Sequence, residues 1–166
     1  MSMVVQKTPQ IMVLLAAHNG TRWIAAQIDS ILAQQAVAVQ VVLSIDRSTD
    51  GTEAWAAQLA QQDARVTVLP GGQVFGGAAP NFFRLLRDVD MAGCDYVALA
   101  DQDDLWHPDK LARACQQPGF VVVLDQLPVT AKFDKTVREQ LLDCFQDAAD
   151  FWAEQGVAFR CFYSYL

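Results

Sequence analysis

Apolar runs alternate with segments of helical periodicity over residues 11–100, and this alternation restricts the fold more than any other feature. Residues 11–17 are continuously apolar and predict a buried strand. Residues 21–35 carry apolar side chains at helical spacing and predict an amphipathic helix. Further strands are predicted at 37–45, 65–69 and 96–100, and further helices at 53–62 and 81–89. Strands that alternate with helices predict an α/β fold with a mostly parallel sheet flanked by helices.

Size and charge limit the class of protein. The 166 residues, 52% of them hydrophobic, suffice for a single domain over residues 1–166. A net charge of −7 argues against a nucleic-acid partner, which requires a basic face. No apolar run is long enough for an integral membrane segment, and the first ten residues lack a secretory pattern. The four widely spaced cysteines and two histidines make a structural zinc site improbable and favour reduced thiols in the cytoplasm.

An acidic cluster follows the strand predicted at 96–100. Asp101, Asp103 and Asp104 stand within four positions, with Gln102 between the first two. Ligands of open α/β sheets bind at the carboxyl ends of strands, and crowded carboxylates there need a cation or hydrogen-bond donors to stay ionised. Mg²⁺ typically takes one or two carboxylates together with phosphate oxygens. A metal-diphosphate site is one interpretation; a solvated acidic loop or a helix cap is the other.

Two more loops follow predicted strands at the same edge of the sheet. Residues 16–20 contain His18 and Asn19, and residues 44–52 contain an Asp-x-Ser-x-Asp-x-Thr pattern that begins at Asp46. A histidine after a strand is commonly a packing or capping residue, and the second pattern is typical of helix capping. Capping and ligand contact are compatible, because free N–H groups at a helix N-terminus suit an anion. We expect the three loops to converge on one crevice.

Together these residues resemble a known family. Four segments look like successive motifs of the family 2 glycosyltransferases: Ala17-His18-Asn19-Gly20, Asp46-Arg47-Ser48-Thr49-Asp50-Gly51-Thr52, Gly76-Gly77-Ala78-Ala79-Pro80-Asn81-Phe82 and Ala100-Asp101-Gln102-Asp103-Asp104-Leu105-Trp106. The resemblance covers residues 11–114, and Asp-Gln-Asp-Asp-x-Trp looks most like the bacterial rhamnosyltransferase-like branch. It implies a GT-A fold with an incomplete acceptor half, a nucleotide-sugar-binding part at 11–114 and a divergent tail at 115–166.

The resemblance also implies roles for single residues. Asp46 would accept a hydrogen bond from the nucleobase, Asp101 would meet the ribose, and Asp103 with Asp101 would hold Mg²⁺ or Mn²⁺. Asp104 could either belong to the site or cap the helix expected near Pro108. Trp106 could either form an apolar wall for the sugar or pack in the core. The substrate-binding residues that it implies are Ala16, Ala17, His18, Asn19, Asp46, Gly77, Asn81, Asp101 and Gln102.

Two departures from the family pattern concern catalysis. Many members carry paired acids after the second strand, whereas here Ile45 precedes Asp46. Inverting transfer needs a base for the acceptor hydroxyl, and the family's base motif has no counterpart after Ala114. The tail instead predicts a strand at 120–124 and an amphipathic helix at 134–154. None of its acids, Asp125, Asp134, Asp143 and Asp147, is assigned as the base, so the catalytic residue is unknown.

Two functions from different classes follow. The first is a metal-dependent glycosyltransferase that moves a sugar, rhamnose by branch resemblance, from a UDP- or dTDP-sugar to a polysaccharide or lipid-linked acceptor. The second is a catalytically inactive donor-binding remnant or partner-dependent module, whose tail aromatics would meet a partner chain. A lipid-linked acceptor would bring the cytoplasmic chain to the inner membrane face. A third hypothesis is an unrelated nucleotide-binding protein, but the sequence contains neither a phosphate-loop motif nor a Gly-x-Gly-x-x-Gly motif after the first strand.

Overall fold

One parallel sheet forms the centre of the molecule. The computed structural model describes residues 7–116 and 123–124. Within them the strands are β1 (Gln10–Ala17), β2 (Ala38–Ile45), β3 (Val66–Val68), β4 (Tyr96–Ala100) and β5 (Val123–Leu124), and the helices are α1 (Ile24–Leu32), α2 (Thr52–Gln62), α3 (Ala78–Asp88) and α4 (Lys110–Cys115). The strand order is β3-β2-β1-β4-β5, and all of these neighbours pair in parallel. The predicted α/β fold is confirmed.

Both faces of the sheet are buried, which explains why the strands appear in the sequence as continuous apolar runs. Successive residues of β1 point to opposite faces. Leu15 belongs to the core that α1, α2 and α4 cover, and Leu14 belongs to the core that α3 covers. Both leucines are fully buried. The helices thus form a layer on each side of the sheet, and the loops at the strand ends are left to line a site.

Helix ends differ from the prediction where contacts with distant residues determine them. Helix α1 was expected at residues 21–35 and spans Ile24–Leu32. At its start, the N–H and hydroxyl of Thr21 both donate to Asp50, at 3.0 and 2.8 Å. Past its end, the Gln34 side chain donates to the carbonyl of His107 (2.7 Å) and accepts the N–H of Leu111 (2.9 Å). These bonds hold both flanks outside the helix.

Helix α3 begins earlier than expected, at Ala78 rather than Asn81. Pro80 therefore lies in its first turn, where a missing N–H costs nothing because that group has no helical acceptor. Strand β5 falls inside the strand predicted at 120–124. The helix predicted at 134–154 lies outside the described residues. None of the helices in the described part of the chain has the length and apolar character to cross a bilayer.

Candidate active site

The strand order creates a crevice between the ends of β1 and β4. The chain leaves β1 toward β2 on one side and reaches β4 on the other, so the loops after these two strands separate, as at ligand sites of other doubly wound sheets. A cavity of about 630 Å³ lies there. Its lining includes every residue predicted for substrate or metal except Asn19: Ala16, Ala17, His18, Asp46, Gly77, Asn81, Asp101, Gln102 and Asp103. The three strand-end loops therefore meet as expected.

Asn19 supports the cavity from outside. Its backbone is left-handed, with φ of 47°, a conformation that asparagine tolerates better than most residues. Its backbone N–H donates to the hydroxyl of Ser48 (3.0 Å), and its side-chain oxygen accepts the N–H of Thr49 (2.8 Å). Asn19 thereby joins the loop after β1 to the loop after β2.

The loop after β2 is bonded both to the loop after β1 and to the first residue of its own helix. The hydroxyl of Thr52 accepts the N–H of Gly20 at 2.8 Å and donates to Asp50 at 2.6 Å. Gly51 is the N-cap of α2, and the carboxylate of Asp50 before it accepts the N–H of Thr52 at 3.0 Å, which satisfies a free donor at the start of this helix. The hydrogen bond from Thr52, together with those from Thr21, lowers the pKa of Asp50 although desolvation opposes them. The capping that this motif predicts is therefore present, and the same carboxylate also joins the loop after β2 to Thr21 in the loop after β1.

Asp46 holds the glycine-rich connection, residues 70–77 between β3 and α3, which lines one side of the cavity. Its Oδ1 accepts the N–H groups of Arg47 (2.8 Å) and Phe75 (2.9 Å), and its Oδ2 accepts the N–H of Gly76 (2.9 Å). Burial raises the pKa of Asp46, but these three N–H donors and the nearby His18 together lower it by more than burial raises it. The net shift of the pKa is therefore downward. The carboxylate is therefore kept ionised in a residue that is only 5% exposed.

A buried polar network supports the cavity floor. The Asn81 amide donates to the carbonyl of Ser44 at 3.0 Å, and its oxygen accepts the Ser44 hydroxyl. Arg84 is buried and donates both to that hydroxyl (3.1 Å) and to the carbonyl of Pro70 (2.6 Å). Its guanidinium lies 5.3 Å from the ring centroid of Phe75. Arg84 thus fixes the glycine-rich connection to α3, as Asp46 fixes it to β2.

The segment after β4, residues 101–106, divides between cavity and core. Asp101 and Asp103 line the cavity. Trp106 is 5% exposed and belongs to the core beside α1, so of its two alternatives the structure favours packing. Helix α4 has Asp109 and not Asp104 at its N-cap. Within the described residues no group of three or more His, Cys, Asp and Glu side chains could hold a metal ion. Two carboxylates nevertheless fit Mg²⁺ or Mn²⁺, because phosphate oxygens would complete the shell.

The lining also contains four residues that were not named as substrate-binding, although three of them stand in the family-like segments: Arg47, Gly76 and Ala78 in those segments, and Val74 outside them. Arg47 carried a signal, since it is a lone cation within an acidic strand-end loop. Val74, which is 65% exposed, carried none.

The comparisons with known proteins identify the family. The model of glycosyl transferase family 2 matches residues 12–164. The chain belongs to glycosyl transferase family 2. This confirms the family resemblance, and the match continues well past Ala114, where the motif likeness ended. RfbG of Shigella flexneri, a dTDP-rhamnosyl transferase, is 39% identical over 101 residues, which are 60% of this chain and 35% of RfbG.

Solved structures show the same fold. S. aureus TarS 1-349 in complex with UDP has a TM-score of 0.54 and 21% identity, over 64% of this chain and 31% of that chain. The mannosyltransferase PcManGT from Pyrobaculum calidifontis, in complex with GDP-Man and Mn²⁺, has a TM-score of 0.58 and 24% identity, over 69% of this chain and 34% of that chain. The fold is GT-A, as expected. The chain spans 35% to 40% of the length of the curated relatives that it matches.

Proposed function

We propose that this chain forms the donor-binding part of a glycosyltransferase and binds a nucleoside diphosphate-sugar with Mg²⁺ or Mn²⁺ in the cavity. The observation that carries the proposal is the convergence of Asp46, Asp101 and Asp103 on one 630 Å³ cavity at the strand-order switch point. Ala16, Ala17, His18, Gly77 and Asn81 line the same space and would contact the donor, while Asn19 would act through the loop that it braces.

Asp46 can serve the nucleobase and the glycine-rich connection together. A carboxylate offers about four lone-pair sites. The N–H groups of Arg47 and Phe75 use two of them on Oδ1, and that of Gly76 uses one on Oδ2. The remaining site on Oδ2 would accept the ring N–H of uracil or thymine. Both bases offer this N–H, so Asp46 would bind UDP- and dTDP-sugars alike.

Asp101 and Asp103 would hold the divalent cation beside the diphosphate. The cation stabilises the negative charge that develops on the leaving nucleoside diphosphate. Arg47 also lines the cavity, its guanidinium donates to the carbonyl of Gly72 at 3.1 Å, and its positive charge would favour a diphosphate there. The two acids, through the cation, and the arginine would therefore hold the diphosphate of the donor.

The donor sugar and the acceptor belong to a finer proposal. RfbG is a dTDP-rhamnosyl transferase, which supports rhamnose as the sugar. We expect a polysaccharide or lipid-linked acceptor, as the sequence resemblance implies. Its hydroxyl oxygen would attack the anomeric carbon, the bond to the diphosphate would break, and the hydroxyl proton would pass to a base.

A donor-binding module without transfer activity is the second candidate. Among the described residues, Asp46, Asp101 and Asp103 are the acidic side chains that line the cavity. The first holds the glycine-rich connection and the others would hold the cation, so none of these three is left to act as the base. Transfer of sugar to an acceptor by the purified chain alone would eliminate this candidate.

Titration calorimetry with UDP and dTDP, with and without Mn²⁺, tests donor binding. The proposal expects Mn²⁺-dependent binding that Asp103→Ala abolishes. Asp29→Ala is a matched control, because Asp29 is an exposed acid on α1 away from the cavity lining. Metal-independent binding, or equal binding by Asp103→Ala and the control, would refute the proposed cation site. No binding by the folded chain would refute the function.

A further inference from the structure

The side chain of Gln102 makes a two-way contact with the backbone of His18. Its Oε1 accepts the His18 N–H at 2.8 Å, and its Nε2 donates to the His18 carbonyl at 2.9 Å. Both ends of the amide are thus engaged by a single residue of the loop after β1. We call this pair of bonds the Gln102 clamp.

The clamp joins two strands beyond the end of their ladder. The register between β1 and β4 ends at the pair Leu15–Ala100. After that pair the two chains enter different loops, one carrying His18 and the other carrying Asp101 and Asp103. A side-chain amide has the donor and acceptor of a peptide group and can continue such pairing. Gln102 therefore fixes the loop of the cation acids to the loop that would hold the nucleoside.

Gly20 provides an independent sign that this contact is built into the fold. A Cβ at Gly20 would overlap Oε1 of Gln102 and come within 3.0 Å of its Cδ. The backbone of Gly20 is anchored, because its N–H donates to Thr52 and its carbonyl accepts the N–H groups of Trp23 and Ile24, both at 2.9 Å. A larger residue at position 20 would consequently displace the Gln102 amide. Space for the clamp, and not a left-handed backbone, explains this glycine.

We propose that Gln102 is a positioning residue that sets the distance between the cation-binding acids and the nucleoside-binding loop. This inference rests on the proposed function of the same cavity. It replaces the substrate contact expected for Gln102 with an indirect role, since a direct contact would require the amide to leave His18. The two neighbours of Gln102, Asp101 and Asp103, carry the chemistry, and the clamp holds them in place.

The amide group suits this position better than a carboxylate. In Gln102→Glu a second oxygen would replace Nε2 and face the His18 carbonyl, so one bond would become a repulsion between acceptors. The new carboxylate would also stand between two acids and repel both. Metal-dependent nucleotide binding should therefore weaken more in Gln102→Glu than in Gln102→Ala.

A double-mutant cycle between positions 20 and 102 tests the inference. Gly20→Ala, which leaves Gln102 itself unchanged, should weaken Mn²⁺-dependent UDP binding by up to about tenfold, because binding would have to restore an arrangement that about two net hydrogen bonds otherwise hold. Gln102→Ala should weaken it to a similar degree. In the double variant, Gly20→Ala should add less than about a twofold change, because the obstructing side chain is gone. Asp29→Ala is again the control, since Asp29 is exposed on α1 and does not line the cavity.

Hydrogen exchange of the His18 amide reports the clamp without any ligand. Gly20→Ala and Gln102→Ala should both accelerate this exchange in the folded chain. Independent effects at the two positions, or unchanged UDP affinity in Gln102→Ala, would overturn the inference. Lost affinity with unchanged His18 exchange would also overturn it and assign Gln102 to direct contact. A wild-type chain that binds neither UDP nor dTDP overturns the proposed function and the positioning role together, and the exchange rates then decide only whether the clamp exists.

Discussion

Asp46→Asn is the perturbation whose cost the structure defines best. The carboxylate accepts three backbone N–H groups, and an asparagine must turn its amino group toward one side. With the oxygen kept toward Arg47 and Phe75, the N–H of Gly76 loses its acceptor. Gly76 is exposed, so water compensates in part and the cost is about 1 kcal/mol. The other two bonds lose charge assistance, at about 0.5 kcal/mol each. We expect a destabilisation of about 2 kcal/mol.

Urea denaturation of the folded chain, combined with amide hydrogen exchange, measures this prediction. The free energy of unfolding should fall by about 2 kcal/mol, and the amides of Phe75 and Gly76 should exchange faster. Asp29→Asn makes the same chemical change at an exposed position and should lie within about 0.5 kcal/mol of wild type. If Asp46→Asn matched that control and left both amides protected, Asp46 would not hold the glycine-rich connection.

Three further predictions concern stability. Leu14→Ala, in the fully buried core beneath α3, should cost about 2–5 kcal/mol in chemical denaturation. Gln27→Met should raise the free energy of unfolding by about 1 kcal/mol or more, because Gln27 is fully buried and its amide has no hydrogen-bond partner among the described residues; a loss would contradict this. The lowered pKa of Asp50 means that its contribution to stability is complete above pH ~4 and is lost as the pH falls through its folded pKa. As the pH falls below about 4, the free energy of unfolding should therefore decrease less steeply in Asp50→Asn than in the wild type. The same pH dependence in both proteins would show that Asp50 does not contribute to acid sensitivity.

The strands could be predicted because their burial appears directly in the sequence. A strand covered on both faces has no polar positions to interrupt its run, and residues 96–100 were predicted with the bounds that β4 has. The ends of α1 could not be predicted in this way. They depend on Thr21 meeting Asp50 and on Gln34 meeting His107, contacts that span 29 and 73 positions in the chain.

The same distinction applies to the site. The proximity of the strand-end residues could be predicted from the order of the motifs, because the carboxyl ends of parallel strands share one edge of the sheet. The roles of the supporting residues depend on neighbours across the cavity. In the sequence, Arg84 has the pattern of an exposed helix residue. Its burial depends on the carbonyl of Pro70 and the ring of Phe75, which only the fold places beside it. The need for glycine at position 20 is apparent only when the position of Gln102 is known.

Paramagnetic broadening by Mn²⁺ in the amide spectrum of the UDP-bound chain tests the central claim most directly. We expect broadening that centres on residues 16–19, 76–78 and 101–103, spares the opposite end of β1 at Gln10, and disappears in Asp103→Ala. Broadening centred elsewhere, or broadening that persists in Asp103→Ala, would contradict a metal-dependent donor site at the ends of β1 and β4.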